Sequence, residues 1–302
     1  MMRQGIAAKS SPAVWMPDNL EEAWQIKQQL GSEASYIAGG TLLQTHWEKG
    51  VLCPANLISL ERIKELQGIG KSMVAGETSS RVGSLTPISF CRNPPPYLNE
   101  HLLLVEAARN IAAPAIRNRA TVGGNIANGF GDLIPALLVM DAELSFFDRK
   151  DYKRISVSDW IQTDVSTSND ILVCVYLPDK IKPNKEAFFY KKIGQREAFC
   201  PSIVTVSGCC QRNGEGMVES IRLAVGGSST PPQRLIESEA LIKGSVLSNN
   251  LLQRLSQMVE QEFTPGVDHF FSAVYKQRVA ANIIVSELAR IAGQEGSYVI
   301  TH

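Results

Sequence analysis

The sequence predicts an α+β protein: two α/β subdomains in front, then a smaller C-terminal domain of antiparallel sheet plus helices. Three observations carry this. Tyr36-Ile37-Ala38 and Asn56 to Leu60 are strand-like and flank a helix-like run, Leu42 to Lys49, an order that implies a parallel crossover. From about Val74 the texture changes to short β-like runs broken by Gly, Ser and Pro. Ile203 to Val206 and Ile221 to Val225 then read as antiparallel strands, and three helical stretches close the chain.

Taken in order, residues 1–18 lack the apolar core of a secretory signal and read as a short unstructured lead-in. Asp18 opens a helix with Glu21 as its capping-box partner, and Gly31 ends it; Leu20, Ala23, Ile26, Lys27 and Leu30 form its stripe. Asn93-Pro94-Pro95-Pro96 must be extended or turned. His101 to Ile111 is helical, Leu133 to Met140 is a second helix, and Ala142 to Phe147 and Ile171 to Leu177 are strands. Pro178 to Pro183 is the best linker, which sets an expected front domain at 1–178 (subdomains about 1–65 and 66–178) and a rear domain at 184–302. The closing helices are Ser238 to Ile242, Asn249 to Glu262 and Val274 to Ala292.

Two glycine pairs stand out. One is Ile37-Ala38-Gly39-Gly40-Thr41-Leu42-Leu43; the other is Thr121-Val122-Gly123-Gly124-Asn125, followed by Asp132 and an apolar helix. Without a Cβ the backbone turns sharply and can press its N–H groups against an oxyanion, so two such loops imply a diphosphate held from two sides. An ordinary strand-to-helix turn would look much the same at the first loop. Neither loop has the lysine of G-x-x-x-x-G-K-[ST] or the spacing of G-x-G-x-x-G, which disfavours P-loop hydrolysis and Rossmann binding.

At these residues the chain resembles the FAD-binding subunits of the molybdenum hydroxylases, the xanthine dehydrogenase and carbon monoxide dehydrogenase group. The matches are Ala38-Gly39-Gly40-Thr41-Leu42-Leu43, Ile116-Arg117-Asn118-Arg119-Ala120-Thr121-Val122-Gly123-Gly124-Asn125-Ile126 and Asp132-Leu133-Ile134-Pro135-Ala136-Leu137. Weaker ones at Ile171-Leu172, Tyr190-Lys191 and Leu223 to Gly227 extend the resemblance over nearly the whole chain.

The resemblance implies a flavin domain of the vanillyl-alcohol-oxidase type. It implies FAD bound by Ile37 to Leu43 and Thr121 to Asn125, with Asp132 against the adenosine half, Leu172 giving a backbone or packing contact to the cofactor and Lys191 near the flavin ring. Asp132 also reads locally as the N-cap of Leu133 to Met140, and a lone lysine such as Lys191 is usually solvated surface. The position that carries a covalent flavin bond in some relatives corresponds to Thr41 rather than His46, so the FAD is expected to be non-covalent. Two departures are Leu42, where the family has an acidic residue, and a segment 127–132 shorter than the usual N-A-S-P-x-x-D.

Function follows from the resemblance: an electron-transfer subunit with iron–sulfur and molybdopterin subunits as partners and NAD or another acceptor downstream, without a catalytic side chain of its own. A self-contained flavin oxidase or reductase of the same broad fold and a non-catalytic nucleotide-binding or assembly protein stay open as alternatives.

Composition narrows the classes. Thirty acidic and thirty basic residues give no charge argument for nucleic acid or an anionic membrane. No apolar run is long enough to cross a bilayer, and the expected location is cytoplasmic. The six cysteines form no C-x-x-C or metal cluster, so reduced thiols and no metal on this chain are expected. Arg109, Arg117 and Arg119 cluster locally and are expected to tie loops together or to face a partner.

Overall fold

A computed structural model describes residues 11–74, 77–94, 101–163, 169–178, 186–194, 201–268 and 270–293. The chain mixes helices with both parallel and antiparallel sheet, as the α+β reading requires. The first unit is a small parallel sheet in the order β1 (Ala13–Trp15), β3 (Asn56–Ser59), β2 (Ala34–Ile37). The stretch expected to be an unstructured lead-in therefore contains a strand. Val14 and Trp15 are good strand formers, and Trp15 Nε1 donates to Asn56 Oδ1 on the neighbouring strand at 3.0 Å.

Helix α1 (Leu20–Leu30) crosses between β1 and β2, and α2 (Thr41–Glu48) between β2 and β3. The start of α1 differs by one residue from expectation. Asn19, not Asp18, is the N-cap, its Oδ1 accepting the Glu22 N–H at 2.9 Å, while the Glu22 carboxylate accepts the Asp18 N–H at 2.9 Å. Gly31 stops the helix at φ +55°, as expected. Lys27 belongs to the cap rather than the apolar stripe, since Nζ donates to the carbonyls of Gly31 and Ala34 at 2.8 and 2.7 Å.

The second unit is a five-stranded antiparallel sheet ordered β4 (Ile69–Val74), β5 (Glu77–Gly83), β8 (Ile171–Pro178), β6 (Glu143–Asp148), β7 (Asp151–Ser156). Among the described residues, five helices run between β5 and β6: α3 (Ile88–Arg92), α4 (Leu102–Asn110), α5 (Pro114–Arg117), α6 (Val122–Ala127) and α7 (Ile134–Val139); α8 (Val157–Trp160) follows β7. Apart from Pro178, the expected linker lies outside the described residues, as do Pro95, Pro96 and Cys200.

The third unit is an antiparallel sheet ordered β12 (Thr230–Arg234), β11 (Val218–Gly227), β10 (Ser202–Arg212), β9 (Glu186–Gly194), followed by α9 (Ile236–Ile242), α10 (Asn249–Glu262) and α11 (Ala273–Ala292). Its central strands, β10 and β11, are buried on both faces over most of their length. Phe189, Val204, Val206, Leu223 and Val225 pack against α10 and α11. Tyr190, Cys209 and Ala224 join the core of the second unit, with Leu133 to Met140 at its centre. Every residue of α7 is buried, so α7 is shared between the two units. Strand alternation thus sends neighbouring residues of β9 and β10 into different cores.

Candidate cofactor site

Strand β2 ends at Ile37, whose carbonyl accepts the Leu60 N–H at 3.0 Å, and the chain turns through Ala38 and Gly39 into α2. Gly40 is the N-cap in the left-handed conformation, φ +70°, and no side chain caps the helix. Gln44 N–H is the first to find a helical acceptor, Gly40 O at 3.0 Å. The N–H groups of Thr41, Leu42 and Leu43 have no acceptor among the described residues. Those donors and the helix dipole make an anion site ready for a diphosphate. Gly39 is required for another reason. A Cβ there would fall 1.8 Å from Arg119 O, so the first loop lies hard against the chain entering the second.

The second loop is built differently. Thr121 is the N-cap of α6, its hydroxyl accepting the Gly124 N–H at 3.0 Å. Val122 N–H donates to Thr86 O at 2.9 Å, Gly123 N–H to Ser84 O at 2.7 Å and Asn125 N–H to Thr121 O at 3.0 Å. The donors expected to grip a phosphate from this side are therefore engaged inside the protein. Gly123 is needed for packing, because a Cβ would lie 2.5 Å from Ser84 Cβ and 2.8 Å from Ser84 O. Gly124 is exposed, and a Cβ there would meet only Thr121 Oγ1, at 3.1 Å. Asn125 Oδ1 accepts the Leu133 N–H at 3.0 Å. Its amide nitrogen has no partner among the described residues and remains a free donor beside the loop.

Asp132 does not cap the following helix. Asn125 already serves Leu133 N–H, the N-cap position of α7 falls on Leu133, and the Asp132 carboxylate turns to the C-terminal sheet. There Oδ1 accepts Ser202 Oγ at 2.6 Å and Thr205 Oγ1 at 2.8 Å, while Oδ2 pairs with Lys192 Nζ at 2.9 Å. The Tyr190 hydroxyl donates to Asp132 O at 2.9 Å. Burial first, and the Asp132 charge second, raise that phenol well above its ordinary pKa, which keeps it a proton donor.

Leu172 on β8 is buried in the core around α7. Lys191 projects to the opposite face of its sheet, where Nζ lies 3.2 Å from Glu287 Oε1 on α11. Leu42, expected to stand where an acid is usual, is exposed. Arg117 ties loops, as expected: Nη1 donates to Ile111 O at 2.9 Å and Ala112 O at 2.5 Å, and burial lowers its pKa.

Sequence reasoning misses Lys192, Ser202 and Thr205, and also Asp141, Arg222 and Arg234 at the far end of α7. Asp141 Oδ2 pairs with Arg222 Nη1 and Oδ1 with Arg234 Nη1, both at 3.0 Å. Only the period-two alternation of β9, which puts Lys192 on the Tyr190 face, could have pointed to one of them.

The donor set suits FAD, with open helix N–H groups at the first loop, a close-packed glycine beneath them and a free amide at the second. Comparison with known proteins agrees. Residues 8–180 match the family described as the FAD binding domain in molybdopterin dehydrogenase, and residues 189–291 match the CO dehydrogenase flavoprotein C-terminal domain. The xanthine dehydrogenase FAD-binding subunit of Escherichia coli O157:H7 is 26% identical over 272 residues, covering 86% of this chain and 90% of that one. The carbon monoxide dehydrogenase medium chain of Hydrogenophaga pseudoflava is 38% identical over 128 residues, covering 41% of this chain and 42% of that one. In fold, a chain of the solved carbon monoxide dehydrogenase from Hydrogenophaga pseudoflava superposes with a TM-score of 0.83 at 23% identity, covering 94% of this chain and 98% of that one. The first family match alone spans more than half of the 302 residues, and the protein belongs to the molybdenum hydroxylase family as an FAD-binding oxidoreductase subunit.

Proposed function

We propose that this chain holds FAD non-covalently and passes electrons from iron–sulfur centres on a partner subunit to NAD or another acceptor, in a complex whose molybdopterin subunit oxidises the substrate. The observation that carries the reading is the uncapped start of α2 at Gly40, with three N–H groups free to meet a diphosphate. In this reading Ile37, Ala38, Gly39, Gly40, Thr41, Leu42 and Leu43 line the diphosphate. Thr121, Val122, Gly123, Gly124 and Asn125 wall the other side, and Asn125 supplies its amide there. Asp132 borders the adenosine half, and Leu172 gives a backbone or packing contact to the cofactor.

Bound FAD would supply the exchange between one-electron and two-electron carriers, while the protein fixes its place and surroundings. The front domain, 1–178, provides the cradle, and the rear domain, 184–302, closes it through Asp132. No helix among the described residues is long and apolar enough to cross a membrane, which accords with a cytoplasmic complex. The names of relatives, a medium chain and a subunit of dehydrogenase complexes, support partner chains.

The test is cofactor uptake by the purified chain. Stoichiometric FAD released by acid, with FMN bound far more weakly, is the expected result. Equal affinity for FMN, which lacks the second phosphate and the adenosine, would remove the diphosphate cradle from the account.

A further inference from the structure

We propose that Phe130 stacks on the adenine ring of the bound FAD and so helps to select the dinucleotide over FMN. This rests on the FAD site proposed above, with Asp132 at the adenosine half. Phe130 lies between the second glycine loop and Asp132, in the segment that is shorter than the usual N-A-S-P-x-x-D. It is 40% exposed, joins none of the three cores and pairs with no other ring among the described residues.

A single exposed phenylalanine needs no explanation by itself. Its seat gives this one a role. On one side Gly129 stands at φ +76°, a conformation that favours glycine, with its N–H on Ile126 O at 2.8 Å. On the other side Gly131 is pressed against Asn125: a Cβ there would fall 2.0 Å from Asn125 O and 2.3 Å from Asn125 Oδ1. Gly131 O also accepts the Ile134 N–H at 3.0 Å, which ties the turn to α7. The backbone on both sides of Phe130 is thus fixed by arrangements suited to glycine. An aromatic residue is thereby presented at the surface one position from the contact with Asn125.

What the second loop can still offer a ligand decides the chemistry. The N–H groups of Val122, Gly123, Gly124 and Asn125 are all spent inside the protein. The free Asn125 amide and the Phe130 ring remain. One donor beside an aromatic ring is a poor phosphate site, but it suits a purine, which has acceptor nitrogens on its edge and a flat π-surface. The phosphate grip comes instead from the open N–H groups at the start of α2. The first loop therefore grips the diphosphate, and the second, which walls it, also reaches the base.

The experiment compares the full chain with Phe130→Ala and Phe130→Trp. Dissociation constants for FAD and FMN are read by flavin fluorescence and that for ADP by calorimetry, with a thermal melt of each cofactor-free chain. Phe130→Ala should weaken FAD and ADP alike, by about tenfold, equivalent to ~1.4 kcal/mol and within the range of stacking a base on an aromatic side chain. The weaker binding of FMN, the visible spectrum of bound FAD and the melt should stay as in wild type. Phe130→Trp, which keeps a stacking face, should retain the affinity for both FAD and ADP.

Wild-type affinity for FAD and ADP in Phe130→Ala would overturn the proposal. A loss shared by FMN, with a shifted flavin spectrum, would overturn it too, by placing the ring at the flavin half. So would a lowered melt of the cofactor-free variant, which would make Phe130 a packing residue. A wild-type chain that takes up no FAD would remove the site reading itself, and this proposal with it.

Discussion

Asp132 and Asp141 bracket α7 and fasten its two ends to the same C-terminal sheet. At the start Asp132 engages Lys192, Ser202 and Thr205, and at the end Asp141 bridges Arg222 and Arg234. Between them every residue of α7 is buried, so the helix belongs to both cores and the front and rear units share one boundary. The Asp132 end adjoins the second glycine loop through Asn125, while the Asp141 side chain, at the opposite end of the helix, pairs with Arg222 and Arg234.

Loss of the remote latch should loosen domain docking without abolishing cofactor uptake. Asp141→Ala leaves Arg222 with Glu186 and Arg234 with Glu239, so neither guanidinium is stranded. The side chain of Asp141 is half exposed, which limits the expected loss to about 1 kcal/mol. Urea unfolding measures it, and a cost above about 3 kcal/mol, the range of a broken buried pair, would show the latch to be stronger than its exposure allows.

The two glycines of the second loop should behave oppositely. Gly123→Ala drives a methyl into Ser84 and its carbonyl, and overpacking of this kind costs about 1–3 kcal/mol. Gly124 needs no positive φ and lies in a helical turn with an open face, so Gly124→Ala should shift stability by less than about 1 kcal/mol. Thermal melts with a flavin assay separate them. Equal damage from both substitutions would mean that the loop serves the cofactor, not packing, at Gly123.

Both loops are legible in the sequence because glycine pairs between a strand pattern and a helix pattern have a local cause. Helix α10 is legible for the same reason, with Ser248 as cap and an apolar stripe behind it. Asp132 misleads for a physical reason. An aspartate before an apolar helix satisfies the local capping rule, but a nearby amide, Asn125, takes the N–H and frees the carboxylate for partners some seventy positions downstream. No local pattern encodes Ser202, Thr205 or Lys192 as those partners. Edge strands hide as well. β7 is mostly exposed with no alternation, and β12 contains Pro231 and Pro232, which an edge strand tolerates and a central one would not.

The buried cysteines Cys91, Cys209 and Cys210 should be inert in the folded protein. Burial above all pushes Cys91 and Cys209 up to about 12 and Cys210 up to about 11, so none forms a thiolate at neutral pH. A thiol reagent at pH 7 should therefore modify Cys53, which is only partly buried, before any of these three, and Cys209→Ala should leave flavin content unchanged. Rapid native-state labelling of Cys209 would contradict the packing described.

Acid should unfasten the rear domain through Lys276 and Asp268. Lys276 is fully buried, with Nζ 2.6 Å from Asp268 Oδ2, 2.8 Å from Ser229 Oγ and 2.7 Å from Gly266 O. The Lys276 hydrogen bond, ahead of those from the Phe270 and Phe271 N–H groups, holds the Asp268 carboxyl far below the usual carboxylate range. A group depressed in the folded state stabilises it above its unfolded pKa, about 3.9 for aspartate, and that contribution fades as pH falls towards the folded value. Wild type should thus lose stability between about pH 5 and pH 2 more steeply than Asp268→Asn, which has no proton to take up there. Lys276→Met, which strands the aspartate beside an apolar side chain, should cost on the order of 3 kcal/mol at neutral pH. Urea unfolding across that pH range checks both, and parallel acid limbs for wild type and Asp268→Asn would show that this pair does not set the acid stability of the rear domain.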